Sequence, residues 1–169
     1  MNKQLIKELS DLAGVSGREE AVREYILRQV EPYCDCRTDN LGNLICLKKG
    51  AKTPKNTQMF SAHMDEVGFI VTNITDSGLL QFTNIGGIDS RVVVGRGVLG
   101  GESKVRGVIG TKAIHMVSEK EIDSPAKLKD LYIDIGAVTR KEAEEAVSLA
   151  DRVTFMPDFR DIGTDFFIN

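Results

Sequence analysis

Tryptophan is absent from this 169-residue chain, and it holds only two histidines, three cysteines and four prolines. Three cysteines are an odd number, so a fully paired disulfide framework is not expected. Cys34 and Cys36 lie too close to pair across an extended segment, and a Cys-x-Cys metal site with Cys46 would lack a fourth ligand. Reduced thiols and a cytoplasmic location are the expectation. No apolar run approaches the roughly 20 residues that a spanning helix needs, and Met1 to Glu8 shows no apolar secretion signal. A membrane is therefore not an expected partner. An excess of positive charge is also missing: 22 Lys and Arg stand against 25 Asp and Glu, a net charge of −3 with a pI near 5.5, so no basic field is available for nucleic acid. The one basic run, Lys48 to Lys55, is broken by Gly50 and Pro54 and reads as a solvated loop.

What is present is the composition of a soluble globular protein, 41% hydrophobic and 28% charged. The length suits one ordinary domain or two small ones. Leu5, Leu9 and Leu12, with Ile6 and Ala13, form a helical apolar face that ends at Gly14. Ser16-Gly17-Arg18-Glu19 has the pattern of a capping box and predicts a helix to about Glu31, stopped by Pro32. Cys34 to Thr38 and Leu44 to Leu47 predict a hairpin around the turn Asp39 to Asn43, and Gln58 to Ala62 predicts a short buried strand. These elements open an α/β sheet domain.

After His63 the pattern changes. Phe69 to Ile74, Leu79 to Thr83, Arg91 to Val94, Val105 to Ile109, Leu131 to Ile135 and Asp151 to Phe155 predict short strands. Dense glycines, including Gly86-Gly87, Gly95, Gly97 and Gly100-Gly101, read as corners, so a small β-barrel or sandwich is expected. One helix interrupts the strands, capped by Thr139 with Glu142 completing a box and with Ala143, Ala146 and Val147 facing inward.

The chemistry concentrates in His63-Met64-Asp65-Glu66. Residues two apart in an extended segment share a face, so His63 and Asp65 are neighbours and Glu66 points the other way. A carboxylate beside a metal-bound imidazole accepts its second ring proton and fixes the tautomer. His63 as ligand with Asp65 as its orienting group is a coherent pair, set against the alternative of a satisfied structural histidine. His115, between Ile114 and Met116, reads as structural, and no nucleophile triad or phosphate loop stands out.

Three segments then carry a resemblance: Gly14 to Glu19, Asp39 to Ile45, and Ala62-His63-Met64-Asp65-Glu66-Val67-Gly68. Ile85-Gly86-Gly87, Gly107 to His115 and Asp130 to Ala137 extend it along the chain. The sequence resembles the glutamyl and deblocking aminopeptidases that include the tetrahedral dodecameric enzymes, a family in which some members carry the labels cellulase or frv-operon protein. The resemblance implies an α/β/α metallopeptidase sheet domain, incomplete here, with an inserted β-rich, PDZ-like dimerisation domain. Residues 1–68 would be the first catalytic segment, 69–154 the insertion and 155–169 the start of the return. It implies two divalent metal ions, zinc or cobalt, with His63 as the first metal ligand and Asp65 as the catalytic-site residue that orients it. It implies a peptide substrate hydrolysed at its N-terminal residue, and a homo-oligomer, a dimer or a dodecamer.

The other ligands and the general-base glutamate of the family lie beyond a segment like Gly163 to Asn169, so a truncated chain, inactive alone, is expected. Two rival expectations are a non-catalytic oligomerisation module built on residues 69–154, and one half of a split enzyme completed by another chain. A smaller departure is Leu149-Ala150-Asp151, where relatives carry glycine before the aspartate. It touches a turn and leaves the chemistry alone.

Overall fold

Short helices with one apolar stripe begin the chain. A computed structural model describes residues 2–112, 126–163 and 166–168; the expectation for His115 falls outside them. Helix α1 (Lys3–Ser10) is capped by Asn2, whose side chain accepts from the Leu5 amide at 3.2 Å. Helix α2 (Glu20–Val30) buries Val22 and gives way to a single 3₁₀ turn, Glu31–Tyr33, at Pro32. Its N-terminus differs from expectation: no side chain caps it, because the Ser16 hydroxyl is engaged elsewhere while Glu19 accepts from the Gly17 amide at 2.6 Å. Strands β1 (Asp35–Thr38) and β2 (Leu44–Leu47) form an antiparallel hairpin. Asp39 closes its turn by accepting from the Leu41 and Asn43 amides, and Gly42 supplies the left-handed residue at φ +87°.

The expected strand from Gln58 to Ala62 does not form. Residues 58–62 have no regular structure and Met59 and Phe60 are 88% and 92% exposed. A buried strand needs neighbours on both edges to satisfy its amides and carbonyls. Among the described residues of this unit, the only sheets are the β1–β2 hairpin and a terminal one.

Residues Glu66–Asp158 make a separate compact unit, and Met1–Asp65 with Phe159–Asn169 make the other. The first of these is a closed barrel of β3 (Gly68–Ile74), β4 (Leu80–Ile85), β5 (Gly97–Gly100), β6 (Val105–Gly110), β7 (Tyr132–Asp134) and β8 (Arg152–Phe155). They close in the order β3-β4-β7-β6-β5-β8. In β3, Phe69 and Val71 point inward, as the two-residue repeat requires. A register shift between Val71 and Asn73 then inserts one residue. That bulge moves the inward position to Ile74, opposite Leu80, and both are buried. Phe69 anchors the interior, with edge-on contacts to Phe82 and Phe155 at centroid distances of 4.9 and 5.3 Å. Val98, Ile109, Leu131, Ile133 and Val153 fill the rest.

Helix α3 (Arg140–Ala146) covers part of this core with Ala143, and Val147 follows it inward. Thr139 accepts from the Glu142 amide at 3.3 Å, and the Glu142 carboxylate accepts from Val138 at 2.9 Å. Ala146, expected inside, is exposed: the helix ends at this residue, and Val147, in an extended conformation at φ −141°, is the one buried. Two further expectations change. Arg91 to Val94 is not a strand: Asp89 accepts from the Arg91 amide at 2.9 Å and starts a 3₁₀ turn, Ser90–Val92. Residues 97–100, read as glycine corners, are strand β5. The chain ends its described part with the hairpin β9 (Arg160–Ile162) and β10 (Phe166–Ile168). Phe159 stacks on Phe167 there at 5.0 Å, and Lys3 pairs with Asp161. No helix among the described residues is long and apolar enough to cross a membrane.

Candidate functional site

Residues 61–65, which carry His63 and Asp65, lie in no strand, and side chains together with one close backbone approach help to set their geometry. Gly14 provides the approach. A Cβ there would lie 2.8 Å from Val22 Cγ2 and 3.2 Å from the Met64 carbonyl oxygen, so a larger residue would push the two segments apart. Val15 is 3% exposed and its carbonyl accepts from the Arg18 amide at 2.8 Å across the turn that follows, and Ser16 donates its hydroxyl to Asp65 Oδ2 at 2.5 Å.

Asp65 in turn holds His63. The ring Nδ1 lies 3.1 Å from Asp65 Oδ1 and 3.0 Å from the Asp65 carbonyl oxygen. Both oxygens only accept, so the neutral ring carries its proton on Nδ1 and its free lone pair on Nε2. The His63 side chain is 85% exposed, and its ring therefore offers that lone pair outward. The Ser16 hydroxyl, followed by the His63 ring, holds the Asp65 carboxyl below its ordinary value, against the opposing effect of burial. Asp65 is thus an ionised acceptor gripped on both oxygens. This is the arrangement in which a carboxylate fixes the tautomer of a metal-binding imidazole.

Glu66 follows a different course. Its Oε1 accepts from the Thr154 hydroxyl at 2.5 Å, and Thr154 is the buried polar residue of β8. Among the described residues no group of three or more His, Cys, Asp or Glu side chains converges on a point able to hold a metal. A structural zinc takes four protein ligands and a catalytic one about three. His63 thus fits the role of one ligand, with its orienting group in place, and the described residues gather no others around it. Sequence reasoning missed Ser16 as a site residue, because its spacing from Glu19 is also that of a helix cap.

Comparison with known proteins gives this half-site a context. The family model of the M42 glutamyl aminopeptidase matches residues 42–169. The FrvX protein of Escherichia coli (strain K12) is 40% identical in a 154-position alignment that covers 86% of this chain and 41% of FrvX. The TET1 peptidase of Pyrococcus horikoshii, which can assemble into a tetrahedron or a large octahedral shell, is 39% identical with a TM-score of 0.81, over 93% of this chain and 47% of that one. A TET aminopeptidase from a marine sediment Thaumarchaeota archaeon is 33% identical with a TM-score of 0.84, over 94% and 46%. The chain spans less than half the length of each of these relatives. With three quarters of its residues inside the family model and the same fold at this level of identity, the chain belongs to the M42 glutamyl aminopeptidase family of metallopeptidases.

Proposed function

We propose that this chain contributes the His63–Asp65 part of a metal-dependent aminopeptidase that removes N-terminal residues from peptides. The observation that carries the reading is the His63 ring, gripped at Nδ1 by Asp65 and open at Nε2. His63 would be a ligand to one of two divalent ions, zinc or cobalt, which suit imidazole and carboxylate donors. When bound, such ions supply Lewis acidity at the scissile carbonyl and an activated water. The residues of this chain do the positioning: Ser16 fixes the Asp65 carboxylate, and Asp65 fixes the His63 tautomer and raises its basicity.

The domain plan follows the same reading. Residues 1–68 and 155–169 belong to the catalytic sheet domain, and 69–154 are an inserted dimerisation domain. The assembled protein is a homo-oligomer; one TET relative is described as a dodecamer and another as able to assemble into a tetrahedron or a large octahedral shell. Hydrolysis of aminoacyl-anilides by the 169-residue chain with added zinc or cobalt tests how the site is shared. Turnover at background level is expected, since one ligand cannot hold two ions. Robust turnover would overturn the claim that the remaining ligands come from outside these described residues.

A second reading has its own observation. The barrel of residues 66–158 is closed and has its own core, so it can serve as an oligomerisation module without any chemistry. Analytical ultracentrifugation of the chain separates the outcomes: a strict monomer removes this reading.

A further inference from the structure

The β1–β2 hairpin sets Cys36 directly opposite Cys46, with their sulfurs 3.4 Å apart. All three cysteines are free thiols. The parity of the ladder shows what kind of position this is. The Asp39 amide donates to the Asn43 carbonyl at 3.1 Å, which makes Asp39/Asn43 a hydrogen-bonded pair. Such pairs alternate along an antiparallel ladder, so Thr38/Leu44 is non-hydrogen-bonded, Arg37/Ile45 hydrogen-bonded and Cys36/Cys46 non-hydrogen-bonded. Non-hydrogen-bonded partners have the closer Cα atoms, roughly 4.5 Å apart, and a disulfide spans Cα atoms about 4.4–6.8 Å apart. The backbone already has the required separation. Cys34 does not share it. Two residues along extended chain put its Cα about 6.6 Å from that of Cys36, near the outer limit, and Cys36 meets the carbonyl of Cys34, not its thiol.

Exposure sets an order between the two thiols. Cys46 is exposed, while Cys36 is half-buried, and burial together with the neighbouring Cys46 pushes the Cys36 thiol up. A small reagent therefore meets Cys46 first.

We propose that Cys36 and Cys46 form a reversible thiol–disulfide site that takes small-molecule disulfides of the oxidised-glutathione type. The Cys46 thiolate attacks one sulfur of the small disulfide, whose S–S bond breaks and releases one small thiol. The Cys36 thiolate then attacks the Cys46 sulfur of the mixed disulfide and releases the second. The two cysteines lose two electrons, the reagent becomes two thiols, and the two cysteine protons pass to them. The product closes the chain around the Asp39–Asn43 turn and fastens the hairpin. Excess reduced glutathione runs the same steps backward.

Equilibrating the reduced 169-residue chain in glutathione buffers of increasing oxidised fraction, then alkylating and mapping the peptides, tests this. The expected result is loss of two of the three alkylatable thiols, a Cys36–Cys46 linked peptide, and Cys34 alkylated throughout. Cys34→Ser should oxidise to the same extent, Cys46→Ser should form no internal bond, and reduced glutathione should restore all three thiols. A link through Cys34, a glutathione adduct on Cys46 that never closes, or no oxidation in a chain that circular dichroism shows to be folded would each overturn the proposal.

Discussion

Ser16 and Asp65, 49 positions apart in the chain, are joined by a 2.5 Å hydrogen bond from the serine hydroxyl to the carboxylate Oδ2. The bond converts a serine in a helix-capping pattern into the support of the His63 environment. Asp65 Oδ1 and the Asp65 carbonyl both face Nδ1, and two acceptors there favour the Nδ1-protonated tautomer of the neutral ring.

The tautomer is directly measurable. Long-range proton–nitrogen correlation spectra of the chain should show His63 in its Nδ1-protonated form. Asp65→Ala should shift the population toward the Nε2-protonated form that free imidazole prefers, and Ser16→Ala should shift it part of the way. A His63 ring that already favours the Nε2-protonated form in the wild type would remove the orienting role of Asp65.

Ala150 sits at φ +68° between Leu149 and Asp151. A left-handed conformation costs a residue with a Cβ about 1–2 kcal/mol, and the turn is tied down by the Ala150 amide on the Val71 carbonyl at 2.9 Å and the Ser148 amide on Asp151 Oδ2 at 2.9 Å. Ala150→Gly should therefore stabilise the barrel by about 1 kcal/mol after the extra unfolded-chain entropy of glycine is subtracted. Urea denaturation at constant slope is the check.

Phe69 is fully buried and touches two other rings. Replacing it with alanine leaves a cavity in the middle of the barrel and should cost about 3–5 kcal/mol. The same urea experiment should show the midpoint falling far more than for an exposed change such as Val138→Ala, since Val138 is 73% exposed. Equal effects would mean that the barrel core is not centred on Phe69.

Tyr25 donates its hydroxyl to Glu8, linking α1 to α2. This bond, the largest cause, holds the Glu8 carboxyl below its ordinary value, with Gln4 second, and it raises the Tyr25 phenol. The signs are opposite. The Glu8 contribution is present above the unfolded carboxylate value of about 4.3 and fades as pH falls through the lower folded one. The Tyr25 contribution is present below about 10 and fades as pH rises through the raised folded value. Tyr25→Phe should flatten both ends of the stability–pH curve, and a curve unchanged at both ends would show the bond carries no stability.

How far the sequence revealed these features depends on whether their causes are local. The hairpin at Asp39–Asn43 was legible because the turn is built from its own residues, Asp39 and Gly42. Thr139 and Glu142 likewise cap α3 as their spacing predicts. The barrel was legible as a class, from short apolar repeats between glycines. Strand β5 was not, because Gly97 and Gly100 at its ends look like corners until Val98 is seen in the core. The Arg91–Val94 strand failed for the opposite reason, since one side chain, Asp89, captures the local amide. Ser16 and residues 58–62 depend on partners far away in sequence or on neighbouring strands, and no local pattern reports those. His63 and Asp65 were legible because their pairing is a two-residue relationship.

The central claim is that His63 is a metal ligand oriented by Asp65 within an aminopeptidase site completed by other residues. The direct measurement is hydrolysis of aminoacyl-anilides by a chimera in which residues 1–169 replace the corresponding part of the Pyrococcus horikoshii TET1 peptidase. The chimera with His63 intact should be active with zinc or cobalt, Asp65→Ala should lose roughly 10–100-fold in metal affinity, and His63→Ala should fall to background. A folded His63→Ala chimera that hydrolyses the substrate as fast as its parent would contradict the account.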